Sequence, residues 1–266
     1  MTTDEERKPL IKWAGGKRRL LAEIRQLLPD DFNRYYEPFF GSGALFFSLL
    51  PRAARLSDAN RDLIETYIEV RDNVEPLIRA LRRLRNSEEG YYRVRAATPR
   101  TPTGKAARLI YLCTLSFNGI YRQNLKGEFN VPYGYKTHLK HYDVARLREA
   151  SRQLRGRTIR HEDFECAVQG AQPGDVAYFD PPYTVAHGNN GFVKYNAKIF
   201  SWEDQKRLAR TALRLKGIGC RVIVSNADHP SIRELYPEFD AHVVERFSVM
   251  SASSEFRRPV RECLFY

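Results

Sequence analysis

Strand and helix signals alternate at both ends of this 266-residue chain and fail in its middle, and that division constrains the fold more than any other feature. RYYEPFF (34–40) is a β-rich run ending at a Gly-Ser-Gly turn, ALFFSLL (44–50) suits a helix, and RAARLSDAN (52–60) reads as a short strand leading into the helical RDLIETYIEVRD (61–72). The pattern resumes with RTIRHEDF (157–164), DVAYFDPPY (175–183), the helical SWEDQKRLARTALRLKG (201–217) and RVIVSNAD (221–228). HVVERFSV (242–249) and RECLFY (261–266) then read as an antiparallel hairpin. The expected fold class is α/β, a sheet with helices on both faces finished by a C-terminal antiparallel hairpin. Between the two halves the pattern turns helical, with a loop at ATPRTPTGK (97–105), and then turn-rich around LKGE and VPYG. The expected organisation is a catalytic part over 1–60, a mainly helical insertion carrying a β-hairpin over 61–140, and a second catalytic part over 141–266.

The middle segment is also where the charge lies. Residues 79–160 hold 19 of the 44 Lys and Arg but only 5 of the 32 Asp and Glu, so the net charge of +12 belongs to this stretch and the remainder is close to neutral. Aromatics and amides are interleaved with the cations in YYRVR and FNGIYRQNLKGEFNVPYGY, side chains that suit bases as well as phosphates. A solvated basic face is the plain alternative; nucleic acid is the favoured partner. No apolar run reaches the ~20 residues of a membrane span, and MTTDEERKPLIKWAGGK lacks the apolar core of a signal peptide, so a cytoplasmic protein is expected. Cys113, Cys166, Cys220 and Cys263 are far apart, with no CxxC pair, and are read as reduced, with no metal.

Gly41 and Gly43 stand where a strand turns into a helix, a geometry that lets backbone approach a bound nucleotide. Seventeen residues past Gly41, Asp58 ends the next strand, where a carboxylate can accept from ribose hydroxyls or, as the simpler reading, cap the helix that follows. The third element is FDPPYT (179–184), which puts a carboxylate directly after the buried run VAYF. Ligands of open α/β sheets sit beyond the carboxyl ends of strands, so Asp180 is expected near the glycine turn. Pro181 and Pro182 fix the local backbone and leave Asp180 and the Pro181 carbonyl as a rigid pair of acceptors. Such a pair suits two hydrogens on one nitrogen, an exocyclic amino group, with Tyr183 offering a ring for the base.

FDPPYT and EPFFGSG resemble the catalytic and cofactor motifs of amino-methyltransferases, and KWAGGK (12–17) ahead of them resembles the first motif of Dam-type (D12 class, alpha group) DNA adenine-N6 methyltransferases. The order of motifs is similar, as is NGIYRQNLKGEFNVPYG to the hairpin those enzymes lay on DNA, and the resemblance runs from about Lys8 to Tyr266. It implies a Rossmann-like fold that binds S-adenosylmethionine. Trp13, Lys17, Phe39, Gly41 and Gly43 would hold the cofactor, with Asp58 near its ribose and Asp163 and Phe164 at its adenine. The catalytic set implied is Asp180, Pro181, Pro182 and Tyr183, with Asp180 also touching the cofactor. Asn118, Arg122, Asn124 and Pro132 would meet DNA, and Phe192 and Tyr195 in GFVKYNAKIF would close over an extruded base.

The activity implied is direct methyl transfer to N6 of a flipped-out adenine at GATC or a site containing GAT. YGYK after FNVP is one residue shorter than the family pattern, which bears on the reading of the outer base pair. Expected partners are double-stranded DNA and a cognate restriction endonuclease, with no membrane, the protein itself being a monomer or weak dimer. An amino-methyltransferase acting on RNA or on cytosine N4 would share the cofactor motifs, and a non-catalytic nucleic-acid-binding module is the remaining alternative.

Overall fold

The computed structural model describes residues 10–13, 15–119, 121–124, 127–138, 140–184, 200–247 and 259–266. Among them, in chain order, run α1 (Leu21–Gln26), β1 (Tyr35–Glu37), α2 (Ala44–Leu49), β2 (Ala54–Asp58), α3 (Arg61–Asp72), α4 (Val74–Arg82), α5 (Glu88–Ala96) and α6 (Pro102–Leu115). There follow α7 (Val144–Leu154), β3 (Thr158–His161), α8 (Phe164–Ala167), β4 (Val176–Phe179), α9 (Trp202–Gly217), β5 (Arg221–Ala227), α10 (Pro230–Arg233), β6 (Ala241–Phe247) and β7 (Pro259–Phe265). The strands form one mixed sheet in the order β3-β2-β1-β4-β5-β7-β6, an α/β architecture. The order reverses between β1 and β4, the kind of switch point at which open sheets bind ligands.

The chain packs as two compact units, one holding Phe40–Pro51, Leu56–Glu162 and the described residues up to Arg18, the other Arg19–Phe39, Arg52–Arg55 and Asp163–Tyr266. In the second unit β1 pairs parallel with β4 and β4 with β5, Val176 standing opposite both Tyr35 and Arg221. These strands are apolar without alternation because both faces are covered: all four residues of β4 and six of seven in β5 are buried. Each fully buried Val, Ile or Phe here stabilises the fold by about 1.5–3 kcal/mol. Helix α9 lies against this sheet through Leu208, Ala212 and Leu215, and opens with a reciprocal capping box between Ser201 and Asp204. The expected closing hairpin is present, but β7 inserts between β5 and β6 and pairs antiparallel with both.

In the first unit α3 buries Leu63, Ile64, Tyr67 and Val70, an i, i+4, i+7 face packed on α6. Two local expectations are corrected here. The loop expected at ATPRTPTGK ends at Thr101, whose hydroxyl accepts from the Gly104 N–H as N-cap, so α6 begins at Pro102; proline at the first helical position starts this helix, since its missing N–H would have had no partner there. The cap of α3 is Asn60, which accepts from the Leu63 N–H, and Asp58 is left for another task.

Candidate active site

In the second unit, parallel pairing brings the carboxyl ends of β1 and β4 to one edge, so Phe39 and Asp180 leave neighbouring strands in the same direction. The segment after Asp180 is braced from three elements. The Tyr183 hydroxyl donates to Glu262 Oε2 at 2.9 Å from β7 and lies 3.0 Å from Ser225 Oγ on β5. From α9, Gln205 Nε2 donates to the Pro182 carbonyl at 3.3 Å and to Thr184 Oγ1 at 3.2 Å, and Asn226 holds the Gln205 amide in turn at 3.0 Å. Burial, followed by the negative charge of Glu262 and Asp180, pushes the Tyr183 phenol well above its ordinary pKa, which keeps it a neutral donor. Asp180 likewise raises buried Tyr35 and Tyr178, after the larger effect of desolvation. An acidic corner of fixed geometry results, set by the fold rather than by the loop itself.

Beside it, Phe39 is half-buried, whereas its neighbour Phe40 is fully buried; of the two, only Phe40 is an ordinary core aromatic. Phe39 stacks on Phe164 with centroids 5.5 Å apart, and Phe200 stands edge-on to Phe39 at 5.5 Å. Asp163 caps α8 by accepting from the Glu165 N–H, and receives both arms of the Arg207 guanidinium at 3.0 and 2.9 Å. Burial alone would lower the Arg207 pKa; the Asp163 and Glu165 carboxylates reverse this and raise it.

The first unit holds the glycine turn. Gly41 and Gly43 have φ of +47° and +64°, and a β-carbon on Gly43 would come within 2.6 Å of the Phe40 ring. Asp58 spans this turn: one carboxylate oxygen accepts from the Gly41 N–H at 2.9 Å and the other from Asn60 N–H at 2.8 Å. Burial raises the Asp58 pKa against the lowering effect of those two bonds. Tyr67, which the sequence did not single out, donates to the Gly41 carbonyl at 3.1 Å. Trp13 lies so close to Gly41 that a β-carbon there would be 3.1 Å from its ring, and it stacks on Tyr121 with centroids 4.6 Å apart. Lys17 is 7% exposed, a buried cation and not a solvated one.

The same unit carries the expected hairpin. Gln123 bridges Phe129 and Ser116 bridges Tyr133 in antiparallel sense, with Gly127 in the turn at φ +78°. Arg122 is exposed and its Nε donates across the hairpin to Asn130 Oδ1 at 2.9 Å. Asn124 is occupied in the turn: its Oδ1 accepts from Glu128 N–H and its Nδ2 donates to Glu128 Oε2. Asn118 is exposed in a left-handed conformation beside Phe117, which is 54% exposed, and the exposed Pro132 accepts from the Phe117 N–H. Lys136 donates to the carbonyls of Thr114 and Ser116 at 2.9 Å each and so ties the hairpin base to the end of α6. Phe192 and Tyr195 lie outside the described residues.

Residues 13–250 match the family described as D12 class N6 adenine-specific DNA methyltransferase. The chain belongs to that family. It is 39% identical over 267 residues to the type II methyltransferase M1.LlaDCHI of Lactococcus lactis subsp. cremoris, covering 97% of this chain and 94% of that protein. It is 35% identical to the type II methyltransferase M.MjaIII of Methanocaldococcus jannaschii, over 84% of this chain and 85% of that one. The DNA adenine methylase of Escherichia coli K12 is 32% identical over 98% of this chain and 95% of its own. This D12 enzyme is therefore an N6-adenine DNA methyltransferase with DNA as its substrate, which decides against an RNA or cytosine-N4 enzyme and against a non-catalytic module. Among the described residues no helix is long and apolar enough to cross a membrane.

Proposed function

We propose that the methyl donor is S-adenosylmethionine and that the methyl group passes directly to N6 of an adenine turned out of duplex DNA, at GATC or a site containing GAT. The observation that carries this reading is the bracing of the turn after Asp180, at Pro182 and Tyr183, by Gln205, Ser225 and Glu262, directly beyond the end of a buried strand. Two hydrogens of an aromatic amino group can be accepted by Asp180 and the Pro181 carbonyl. Those bonds draw the nitrogen lone pair out of the ring and aim it, while Tyr183 gives the base a surface to lie on. Placed acceptors and orientation account for the rate without a covalent enzyme intermediate.

The residues present fit the cofactor. Gly41 and Gly43 hold a left-handed turn with the Trp13 ring against Gly41 and Asp58 on the Gly41 N–H, and Lys17, a buried side chain of the same unit, belongs to this reading as well. The half-buried Phe39, backed by the buried Phe164, offers an apolar surface and Asp163 an acceptor for a purine. The cofactor supplies an activated methyl on sulfur. Phe192 and Tyr195 belong to the same reading as residues that cover the extruded base, whose removal from the stack costs a few kcal/mol. The protein acts as a monomer or weak dimer in the cytoplasm, with a restriction endonuclease of the same specificity as its natural companion. Incubation with tritiated S-adenosylmethionine and duplexes of varied sequence tests the proposal: label must appear as N6-methyladenine within GAT-containing sites, and label from a site lacking GAT sinks the assignment.

Two further outcomes follow from the basic region. If its cations neutralise phosphates, log affinity for duplex DNA falls linearly with log salt by about 0.9 per phosphate contacted, on non-specific duplex as well. A flat response in a salt titration reassigns those arginines to solvation. Arg122, exposed on the hairpin, is expected to read a guanine in the major groove, for which releasing its bond to Asn130 is a small cost. Arg122→Ala then loses ~1–3 kcal/mol on the cognate site and discrimination at one base pair, with cofactor affinity intact. Equal loss on every singly substituted site marks a phosphate contact instead.

A further inference from the structure

Resting on the reading that Asp163 and Phe164 meet the cofactor's adenine, we infer that Arg207 is a positioning residue that presets both of them and thereby makes the site selective for a 6-aminopurine. Arg207 stands on α9, one turn after the capping box, and its guanidinium is enclosed by carboxylates. Nη1 donates to Asp163 Oδ1 at 3.0 Å and Glu165 Oε2 at 3.1 Å, and Nη2 to Asp163 Oδ2 at 2.9 Å and Asp204 Oδ1 at 3.1 Å. Its carbon lies 4.3 Å from the centre of the Phe164 ring. One guanidinium therefore fixes Asp163 by a two-pronged fork, holds Glu165 on the far side, and covers a face of the aromatic between them.

Stability alone does not explain this arrangement. All four side chains are about a third exposed, and ion pairs so placed add little to stability because solvent screens them. Three carboxylates around a single cation also repel one another, so a purely structural bridge would be better served by one. What the cluster does is hold residues 163 and 164 in a single attitude. Asp163 Oδ1 takes two donors, the Glu165 N–H and Arg207 Nη1; Oδ2 takes Arg207 Nη2 and, among the described residues, nothing else. A carboxylate oxygen accepts about two hydrogen bonds, so Oδ2 keeps capacity for one more donor. The exocyclic amino group of a purine lying on Phe39, with Phe164 behind it, supplies that donor. A 6-oxopurine presents an acceptor at the same place, which the carboxylate repels. Lysine cannot substitute for Arg207, because an ammonium has neither the fork nor the plane.

The test compares the unaltered enzyme with Arg207→Lys and Arg207→Met, titrating S-adenosylhomocysteine and S-inosylhomocysteine calorimetrically and measuring steady-state kinetics on duplex DNA. The unaltered enzyme is expected to prefer the adenosyl compound by at least ~10-fold, the size of one charge-assisted hydrogen bond. Arg207→Lys should lose most of that preference, weakening the adenosyl compound ~10-fold while the inosyl compound changes little, and the kinetic loss should fall on KM for the methyl donor and spare kcat. Equal weakening of both compounds, unchanged discrimination, or a fall in kcat with unaltered KM overturns the inference. If thermal melts show that neither variant folds, Arg207 is structural and the inference fails with it. An unaltered enzyme that binds neither compound overturns the cofactor reading itself, an outcome distinct from the others.

Discussion

Replacing Asp180 by alanine is expected to lower the single-turnover rate of methyl transfer by at least ~10²-fold, the cost of one oriented transition-state hydrogen bond. The effect is chemical, because Asp180 follows a strand whose own core contacts are unaffected: Val176 to Phe179 remain buried, and the following turn keeps its bonds with Gln205, Ser225 and Glu262. DNA affinity should therefore stay within about threefold. Rapid-quench measurement with labelled cofactor and excess enzyme decides the matter. A variant retaining more than roughly a tenth of the parent rate would show that the carboxylate is not an acceptor for the reacting amino group.

Gly43→Ala is expected to have the largest effect on stability. Its φ of +64° costs an L-residue ~1–2 kcal/mol, and the new methyl would sit 2.6 and 2.7 Å from two atoms of the Phe40 ring and 3.0 Å from Phe47. Phe40 has no room to retreat, being buried against Phe46, Phe47 and Tyr67 and tied by its N–H to the Ser57 carbonyl. Overpacking of that kind adds ~1–3 kcal/mol. At ~2–4 °C per kcal/mol for a chain of this size, the thermal midpoint should fall by roughly 5–15 °C. Gly156→Ala is the matched comparison: its φ is +71°, but nothing lies within 4 Å of the added carbon, so only the backbone penalty applies. Calorimetric melts of the two variants separate strain from crowding, and equal midpoints would mean that the Phe40 contact is relieved by movement of the ring.

The two substitutions also mark the difference between local and distant information. Asp180 was legible because its signal is contiguous: an apolar run covered on both faces, then an acid, then two prolines, all within eight residues. The caps at Asn60, Ser87, Thr101 and Ser201 are local in the same way, each accepting from an N–H three residues on, although around Thr101 two prolines and a glycine outweigh the cap and suggest a loop. Gly43 could be marked as a turn residue, but its dependence on Phe40 could not, since that follows from how the ring is pinned against Tyr67, 27 positions away.

What the chain's own order of residues determined is strands β1 to β7, helices α2, α3 and α9, the two sections of α/β alternation, the basic and helical middle segment, and the motifs whose chemistry is written in adjacent side chains. The tertiary structure alone decided which partners those motifs have. The insertion of β7 between β5 and β6, the bond from Tyr67 to Gly41, the span of Asp58 from Gly41 to Asn60, the brace of Glu262 on Tyr183 and the meeting of Arg207 with Asp163 join residues mostly separated by 17 to 79 positions. No spacing rule reaches that far. Capping, turn chemistry and hydrophobic periodicity act over one turn of helix or one strand, whereas a side chain's distant partner is fixed by how entire elements pack, and that depends on the whole core at once.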